Sequence, residues 1–310
     1  MLLELKGITK NFGENRVLRG IDLAVPSGSA FGLLGRNGAG KTTMIRIVME
    51  VFRPDSGQVL LDGKPFRRGM LRVGYLPEER GMYPKKTVIE QLIYFGELAG
   101  LKADAAKRNA LSLLERLGMG ETAGKKLMTL SKGNQQKIQF VATLIAEPEL
   151  VVLDEPFSGL DPVNAMLLED LVRELVERGS LVFFSSHQMN YIEEFCHEIA
   201  ILNGGNIVRE GKIAEMKRGH DRSRIIVRSP QVEQLAVFVR SQTGIARDVN
   251  LEDEAVTIQL TTQEKKPELL SMLAARGFDV DSFAVWEPSL QDIFVDATTS
   301  RHGTLEGGLA

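Results

Sequence analysis

A glycine-rich turn between two apolar segments limits most strongly how this chain can fold. The segment GLLGRNGAGKTTMIRIV, residues 32–48, contains four glycines and one lysine, and three of these glycines and the lysine lie between the apolar stretches 31–34 and 44–48. Each glycine carries extra conformational entropy that folding must remove, so a run of glycines needs a structural reason. A strand that ends at Leu34, a tight turn and a helix that follows Lys41 supply that reason. Strands that alternate with helices along the rest of the chain favour a mainly parallel α/β sheet.

The turn has the residue spacing of a phosphate-binding loop. Residues 35–42 match G-x-x-x-x-G-K-[ST] in full, in the required position between a strand and a helix. The glycines let successive N–H groups face one anion, and the helix N-terminus adds partial positive charge. Lys41 can reach the β- and γ-phosphates, and the Thr42 hydroxyl can bind Mg²⁺. The alternative is an ordinary junction with a solvated lysine. The motif predicts that a nucleoside triphosphate binds to Gly35, Asn37, Gly38, Ala39, Gly40, Lys41, Thr42 and Thr43.

Two carboxylates follow an apolar strand later in the chain. Residues 150–153 are Leu-Val-Val-Leu, and Asp154 and Glu155 come next. Asp154 can hold a metal ion, and Glu155 can polarise a water molecule for in-line attack on the γ-phosphate. Acids often mark strand ends, so the pair is informative only together with the phosphate-binding loop. The combination predicts hydrolysis of the bound triphosphate.

A third motif identifies the class of the protein. LSKGNQQK, residues 130–137, lies about 90 residues after Lys41 and shortly before the strand that ends in Asp154. It resembles the signature of ATP-binding-cassette (ABC) ATPases, usually written LSGGQ. Residues 158–161, SGLD, resemble the D-loop of that family, and Ser186-His187 resembles its switch histidine. The resemblance covers residues 2 to about 217. For Ser131, the alternative is an ordinary helix N-cap.

The resemblance implies that two cassettes pair head to tail around ATP and Mg²⁺. Ser131, Gly133 and Asn134 of one subunit are then expected to face the triphosphate held by Lys41 of the other. The resemblance thus implies a second ATP-binding subunit, either identical or different, as a partner. It also implies that ATP acts as glue between the subunits and that hydrolysis lets them part.

The resemblance assigns roles to further residues. His187 is expected to contact the γ-phosphate, and Asp161 is expected at the nucleotide. The expected catalytic residues are thus Lys41, Glu155 and His187. Phe12 occupies the position of an aromatic that stacks on adenine, although an ordinary loop aromatic is the alternative.

The motifs depart from the family pattern at three positions. Lys132 and Asn134 replace the second glycine and the glutamine of the usual signature. Glu78 stands where the family usually has a glutamine that touches Mg²⁺ and the attacking water. A carboxylate is also a hard oxygen ligand, so Glu78 joins Thr42 and Asp154 as an expected metal ligand. The alternative for Glu78 is a solvated acidic turn.

The organisation of the chain predicts two domains and a tail. Residues 1–219 are expected to form the nucleotide-binding domain, a P-loop cassette with a mainly parallel sheet, an antiparallel β subdomain and a helical lobe at about 78–147. The polar residues 217–223 are expected to be a linker. A β-α-β-β-α-β order within 222–298 predicts a small ferredoxin-like α+β accessory domain. The tail, 300–310, has too little apolar surface to fold and is expected to be disordered.

Composition limits where the protein acts. The longest apolar runs have the length of strands, whereas a membrane span needs about 20 residues. Together with this, the resemblance to ABC ATPases implies a separate integral membrane permease as partner, with this chain on the cytoplasmic side of the membrane. The net charge of −3 gives no reason to expect nucleic acid as a partner. The single cysteine, Cys196, suits a reducing compartment.

Two further segments narrow the expected function. LPEERGMYP, residues 76–84, and WEPSLQDIF, residues 286–294, resemble the sodium-efflux-type (Nat-like) branch of exporter ATPases. The resemblance implies an exporter motor, with Na⁺ or a drug as cargo. One alternative is a soluble ABC-type ATPase that acts on nucleic acid or ribosomes. Another is a small-molecule kinase that shares only the phosphate-binding loop.

Overall fold

The computed structural model describes residues 1–79, 81–157, 160–186, 188–219, 222–252 and 254–299. His187, the first two residues of the SGLD segment and the predicted disordered tail lie outside these ranges. The chain divides into two compact units. The first comprises Met1–Ile213 together with the chain from Phe294, and the second comprises Ala214–Ile293.

The strands of the first unit form two sheets. In chain order they are β1 (Leu2–Phe12), β2 (Asn15–Pro26), β3 (Ala30–Gly35), β4 (Ser56–Leu61), β5 (Lys64–Pro65), β6 (Val73–Leu76), β7 (Leu150–Asp154), β8 (Leu181–Ser185), β9 (Cys196–Asn203) and β10 (Asn206–Lys212). The antiparallel sheet has the order β2-β1-β4-β5, and the larger sheet has the order β10-β9-β3-β8-β7-β6. In the larger sheet the pairings among β9, β3, β8, β7 and β6 are parallel, and only β10 runs antiparallel.

The helices of the cassette follow the α/β pattern. They are α1 (Lys41–Val48), α2 (Val88–Leu98), α3 (Ala103–Arg116), α4 (Lys132–Leu144), α5 (Pro162–Glu177) and α6 (Met189–Phe195). Every residue of β3, β7 and β8 is buried, as expected for parallel strands covered on both faces. Leu33, Met44, Val152 and Phe183 are among the residues that join these strands to α1 in one hydrophobic core.

The register of the parallel strands places the acidic residues near the phosphate-binding loop. β8 lies between β3 and β7 and pairs with both, and Ser185 is opposite Leu33 on one side and Asp154 on the other. The carboxyl ends of these strands therefore meet at one edge of the sheet, where ligands bind in open α/β folds. This edge carries the loop after Gly35 and the residues Asp154 and Glu155.

The second unit has the predicted β-α-β-β-α-β order. The chain enters it through α7 (Ile213–Arg218), and then follow β11 (Arg224–Arg228), α8 (Val232–Arg240), β12 (Ala246–Glu252), β13 (Ala255–Leu260), α9 (Lys266–Ala275) and β14 (Ser282–Val285). The last helix, α10 (Leu290–Thr299), begins in this unit, and its residues from Phe294 belong to the first unit. The sheet is antiparallel with the order β12-β13-β11-β14, which is the ferredoxin-like arrangement. Ile225, Val227 and Ile258 pack against Leu235 and Leu269 in its core.

The first two residues of the predicted linker, 217–223, are helical in the structure. Lys217 and Arg218 lie in α7 and not in an irregular segment. Polar composition suggested a linker, but lysine and arginine are also good helix formers, so composition alone does not separate the two. His220 and Asp221 fall outside the described residues.

None of the helices in the described ranges combines the length and the apolar character that a membrane crossing requires.

Candidate active site

Part of the predicted site, including most of the phosphate-binding loop and the acidic residues Asp154 and Glu155, lines one open cavity of about 860 Å³. This volume lies within the usual range for small-molecule sites. The cavity is lined by Phe12, Asn15, Val17, Arg36, Asn37, Gly38, Gly40, Lys41, Thr42, Thr43, Glu78, Asp154 and Glu155. Ser131, Gly133, Asn134 and Asp161 are not among these lining residues, and neither are Gly35 and Ala39 of the phosphate-binding loop.

The phosphate-binding loop needs glycine for two different reasons. Gly40, the N-cap of α1, has φ +112°, a left-handed conformation that side-chain-bearing residues rarely adopt. Gly35 is tightly packed, because a Cβ there would lie 2.7 Å from the carbonyl oxygen of Leu202. No side chain caps the start of α1 within the part of the chain that the structure describes. Its first N–H groups are therefore suited to an anion.

Lys41 is folded onto its own loop. Its Nζ donates a hydrogen bond to the carbonyl oxygen of Gly35 at 2.6 Å. Burial lowers the pKa of the Lys41 ammonium, while the carboxylates of Glu155, Asp154 and Glu78 oppose this shift. A phosphate group would supply further negative charge beside this partly desolvated cation.

Asp154 is a buried carboxylate at the end of β7, with only 3% of its surface exposed. Burial raises the pKa of its carboxyl, the neighbouring acids Glu155 and Glu78 raise it further, and Lys41 opposes them. The Ser185 hydroxyl lies close enough to lower this pKa, but its Oγ makes no hydrogen bond of good geometry among the described residues. A buried hydroxyl without a partner beside a buried carboxylate suits a hydrated cation or a bound water.

Glu155 is held in a strained position. Its φ of +52° lies in the left-handed region, which costs a residue other than glycine roughly 1–3 kcal/mol. Its N–H donates to the carbonyl oxygen of Ser185 at 2.9 Å, and its Oε2 accepts a hydrogen bond from Ser186 Oγ at 2.9 Å. The N–H of Gln188 donates to the same Ser186 hydroxyl at 3.0 Å. These bonds fix the direction of the Glu155 carboxylate.

The donor set suits Mg²⁺ bound together with a phosphate. In the described ranges no three acidic, histidine or cysteine side chains form a preformed metal cage. Mg²⁺ commonly takes one or two protein oxygens and completes its shell with phosphate oxygens and water. Thr42, Asp154 and Glu78 supply oxygen atoms along the same cavity wall.

The signature segment begins α4, away from this cavity. Ser131 is the N-cap, and its Oγ accepts a hydrogen bond from the N–H of Asn134 at 3.3 Å. Ser131 is thus a helix cap, as the structural alternative predicted, and it is also exposed together with Lys132. Asp161 caps α5 in the same way, accepting from the N–H of Asn164 at 2.9 Å.

Phe12 lies at the end of β1 and keeps 46% of its surface exposed. Its ring contacts that of Phe52 edge-on, with 5.5 Å between ring centroids. An exposed aromatic on the wall of the cavity can stack on a nucleobase.

Sequence patterns did not reveal two connections of α4. Gln139 Nε2 donates to the carbonyl oxygens of Pro77 and Glu79, at 3.2 and 3.3 Å, and so holds the loop that carries Glu78. Lys137 Nζ donates to Asn164 Oδ1 at 2.8 Å. The available signal was a row of polar residues, 135–137 and 139, on a helix that must pack against the core. Ser186 was also missed as the partner of Glu155, although it precedes the predicted His187.

Asn15, Val17 and Arg36 are further cavity residues that the motifs did not single out. Arg36 lies inside the phosphate-binding motif, at a position where the pattern allows any residue. Asn15 and Val17 follow Phe12 in sequence, so proximity to the expected aromatic platform was the only available signal.

Comparison with known families agrees with this geometry. Residues 18–158 match a family model described as ABC transporter, and residues 211–298 match one described as ATP-binding protein DrrA1-3-like, C-terminal domain. The chain is 40% identical over 296 residues to the uncharacterized ABC transporter ATP-binding protein YhaQ of Bacillus subtilis (strain 168), covering 95% of this chain and 98% of YhaQ. It is 31% identical to the linearmycin resistance ATP-binding protein LnrL of the same organism, covering 96% of this chain and 98% of LnrL.

A solved structure gives the same result for the fold. The ATP-binding subunit of an ABC transporter superposes with a TM-score of 0.64 at 28% identity, covering 70% of this chain and 92% of that chain. A phosphate-binding loop, a strand ending in two acids and a signature segment on α4 lie in the order of that fold, and the YhaQ match extends over nearly the whole chain. The chain therefore belongs to the family of ABC transporter ATP-binding proteins.

Proposed function

We propose that this ATPase subunit pairs with a second ATP-binding subunit when ATP binds, and thereby powers export through a separate membrane permease. The observation that carries the proposal is the meeting of residues 36–38 and 40–43 of the phosphate-binding loop with Asp154 and Glu155 in one cavity. We assign residues 1–219 to the nucleotide-binding domain and 222–298 to an accessory domain. The subunit would act at the cytoplasmic face of the membrane.

In this proposal the cavity holds ATP by its phosphates. The N–H groups between Gly35 and Thr43 and the ammonium of Lys41 bind the β- and γ-phosphates, and Phe12 stacks on adenine. Thr42, Asp154 and Glu78 hold Mg²⁺, which when bound withdraws charge from the phosphate oxygens. With Mg²⁺ bound, the buried carboxylate of Asp154 would also have a positive charge as partner, which would offset the cost of its burial.

Glu155 orients the attacking water. Its carboxylate accepts a hydrogen bond from the water and polarises it towards the γ-phosphate. The hydrogen bond from Ser186 keeps this carboxylate from rotating away. We assign the contact with the γ-phosphate oxygens to Lys41 and, by the family resemblance, to His187.

A second subunit completes the site. Ser131 and Gly133 lie at the start of α4, where Ser131 is exposed, and neither lines the cavity of its own chain. A serine hydroxyl, a glycine N–H and a helix N-terminus together suit a γ-phosphate. We propose that these groups and Asn134 bind the nucleotide of the facing subunit, with Asp161 beside them. A second copy of this chain is the simplest such partner.

The helical lobe offers a docking surface for the permease. Tyr83 and Tyr94 are 49% and 44% exposed and contact each other with 6.1 Å between ring centroids. Met128, 59% exposed, lies beside them, because its N–H donates to the carbonyl of Pro84. Exposed aromatic and methionine side chains are typical of protein interfaces. We propose that the permease docks on this part of the lobe.

We propose an antibiotic-like molecule as the first candidate for the cargo. The full-length similarity to a linearmycin resistance ATP-binding protein and the DrrA-like model of the C-terminal region support a drug over Na⁺. Na⁺ is the second candidate, on the strength of residues 76–84 and 286–294. The alternative roles on nucleic acid or in small-molecule phosphorylation gain no support from any observation on this chain.

The test of the proposed chemistry is Glu155→Gln, with Glu147→Gln as a matched control. Glu147 precedes β7 and has φ +50°, nearly the same strained conformation, but it is exposed and does not line the cavity. We expect Glu155→Gln to lower phosphate release by about 100-fold or more, the usual contribution of a positioned base, with ATP affinity nearly unchanged. Equal losses in the two variants, or normal turnover in Glu155→Gln, would contradict the role of Glu155.

A further inference from the structure

A second aromatic residue supports the ring of Phe12. Phe52 follows α1 and contacts Phe12 at 5.5 Å between centroids, with the ring planes at 70°. The guanidinium carbon of Arg46 lies 5.7 Å from the centroid of Phe52. Phe52 is half-buried, whereas Phe12 is exposed.

The backbone ties Phe52 to the helix that begins at Lys41. The N–H groups of Val51 and Phe52 both donate to the carbonyl oxygen of Arg46, at 2.8 and 3.1 Å. Arg46 belongs to α1. The position of the Phe52 ring is therefore set by the same helix that carries the phosphate-binding residues.

The residues before Phe12 are tied to the same loop. Lys10 Nζ donates to the carbonyl of Arg53 at 2.8 Å and to Asp55 Oδ1 at 2.9 Å, and it lies 5.7 Å from the centroid of Phe12. Asp55 Oδ2 accepts a hydrogen bond from the N–H of Asn11 at 2.6 Å. The hydrogen bonds from Lys10 and from the N–H of Asn11 lower the pKa of the Asp55 carboxyl, because both stabilise its ionised form.

We propose that Phe52, with Arg46, Lys10 and Asp55, is a positioning brace for Phe12 and sets how much the nucleobase adds to the affinity for the triphosphate. The inference rests on the proposed stacking of Phe12 on adenine. An exposed ring loses rotamer freedom when a base stacks on it, and a ring that is already held loses less. Since every base has a π-face, the brace acts on ATP and GTP alike.

The experiment compares ligands with and without a base. Calorimetric titrations of the full chain with ATP, GTP and inorganic tripolyphosphate, each with Mg²⁺, are made for the wild type, Phe12→Ala, Phe52→Ala and Phe52→Leu. Phe238→Ala is the matched control: its ring lies 5.5 Å from that of Phe278, with the Arg276 guanidinium 5.0 Å above it, in the second unit.

We expect Phe12→Ala to lower the affinity for ATP and for GTP by about 10- to 100-fold and to change the affinity for tripolyphosphate by less than about twofold. Phe52→Ala should lower the affinity for both nucleotides by about fivefold without changing the affinity for tripolyphosphate. Phe52→Leu, which keeps most of the packing volume, should show the same pattern to a smaller degree. Phe238→Ala should change none of the affinities.

Two results would overturn the brace. The first is a Phe52 variant that binds all three ligands with the affinities of the wild type. The second is a Phe52 variant whose affinity for tripolyphosphate falls as much as its affinity for ATP, since that would mean that the whole loop has loosened. If Phe52→Ala does not fold, Phe52→Leu decides. A Phe12→Ala variant with an unchanged ratio of ATP to tripolyphosphate affinity would instead refute the stacking role of Phe12 itself.

Discussion

Lys41 and Asp154 carry opposite charges in the same cavity, and burial shifts both pKa values towards the neutral forms. The site therefore holds charges that are poorly solvated and that the proposed ligands, a triphosphate and Mg²⁺, would compensate. At this scale the motifs identified the residues by type and spacing. They did not indicate that Lys41 binds the Gly35 carbonyl or that Ser186 orients Glu155, because such bonds depend on how two loops meet.

Lys41→Ala should abolish ATP binding in the micromolar to millimolar range. Two charge-assisted hydrogen bonds to phosphate oxygens contribute roughly 1.5–3 kcal/mol each, so their loss weakens binding by 100-fold or more. Calorimetric titration with ATP measures this. Lys64→Ala removes an exposed lysine of β5 and should bind normally. An unchanged affinity in Lys41→Ala would refute the site.

Asp154→Asn should stabilise the nucleotide-free protein. Burial raises the pKa of this carboxyl above its value in the unfolded chain, because the folded protein disfavours the ionised form. Burying the ionised carboxylate therefore lowers the free energy of unfolding. This loss is absent below the unfolded pKa and fully present above the raised folded pKa. We expect a melting temperature about 2–4 °C higher at pH 7.5, equivalent to about 1 kcal/mol, and a smaller gain at pH 4. Thermal melts at both pH values measure this.

Asp170→Asn, an exposed aspartate of α5, is the control for this pH dependence and should show no gain at either pH. A lower melting temperature for Asp154→Asn at pH 7.5 would show that the Asp154 carboxylate is already well compensated without a ligand.

At the scale of elements, α4 connects the parts of the cassette. Its start carries Ser131, Gln139 holds the loop of Glu78, and Lys137 bonds to the carbonyl of Leu117 at 3.1 Å and to Asn164 of α5. The sequence placed this helix within the expected helical lobe at about 78–147. It did not predict these bonds, since their partners lie 20 to 62 residues away in sequence.

Lys137→Met should lower the free energy of unfolding of the chain by about 1–3 kcal/mol, because it leaves a buried carbonyl and an amide oxygen without their donor. Burial lowers the pKa of this ammonium. Urea unfolding measures the loss, and Lys132→Met, an exposed position of the same helix, should change stability by less than about 0.5 kcal/mol. Similar values for both variants would mean that the Lys137 bonds contribute little.

Ser131→Arg should allow ATP to bind to the monomer but prevent pairing, because a long charged side chain would occupy the space of the facing phosphate. Ser131→Ala loses the N-cap and the hydroxyl contact to the facing phosphate but keeps the contacts of Gly133 and Asn134, so it should cost about 1 kcal/mol of stability and pair more weakly than the wild type does. Mass measurement in the Glu155→Gln background with ATP distinguishes them. Pairing by Ser131→Arg would leave Ser131 with a structural role only.

At the scale of the molecule, the chain combines a cassette with a second, ferredoxin-like unit. The alternation of strands and helices predicted both fold classes, including the β-α-β-β-α-β order of residues 224–285. The strand order of the large sheet and the β9–β10 hairpin were not predicted, because apolar runs indicate strands but not their neighbours. The family resemblance supplied the pairing of subunits, which a single chain does not display.

The mass of Glu155→Gln in solution, with and without ATP and Mg²⁺, tests the shared ATP site most directly. The chain has a mass of 34.3 kDa. Multi-angle light scattering should give this mass without nucleotide and twice this mass with saturating ATP, and the bound nucleotide should be intact ATP. A monomer at saturating ATP would contradict the proposal that two copies enclose the nucleotide between Lys41 and Ser131.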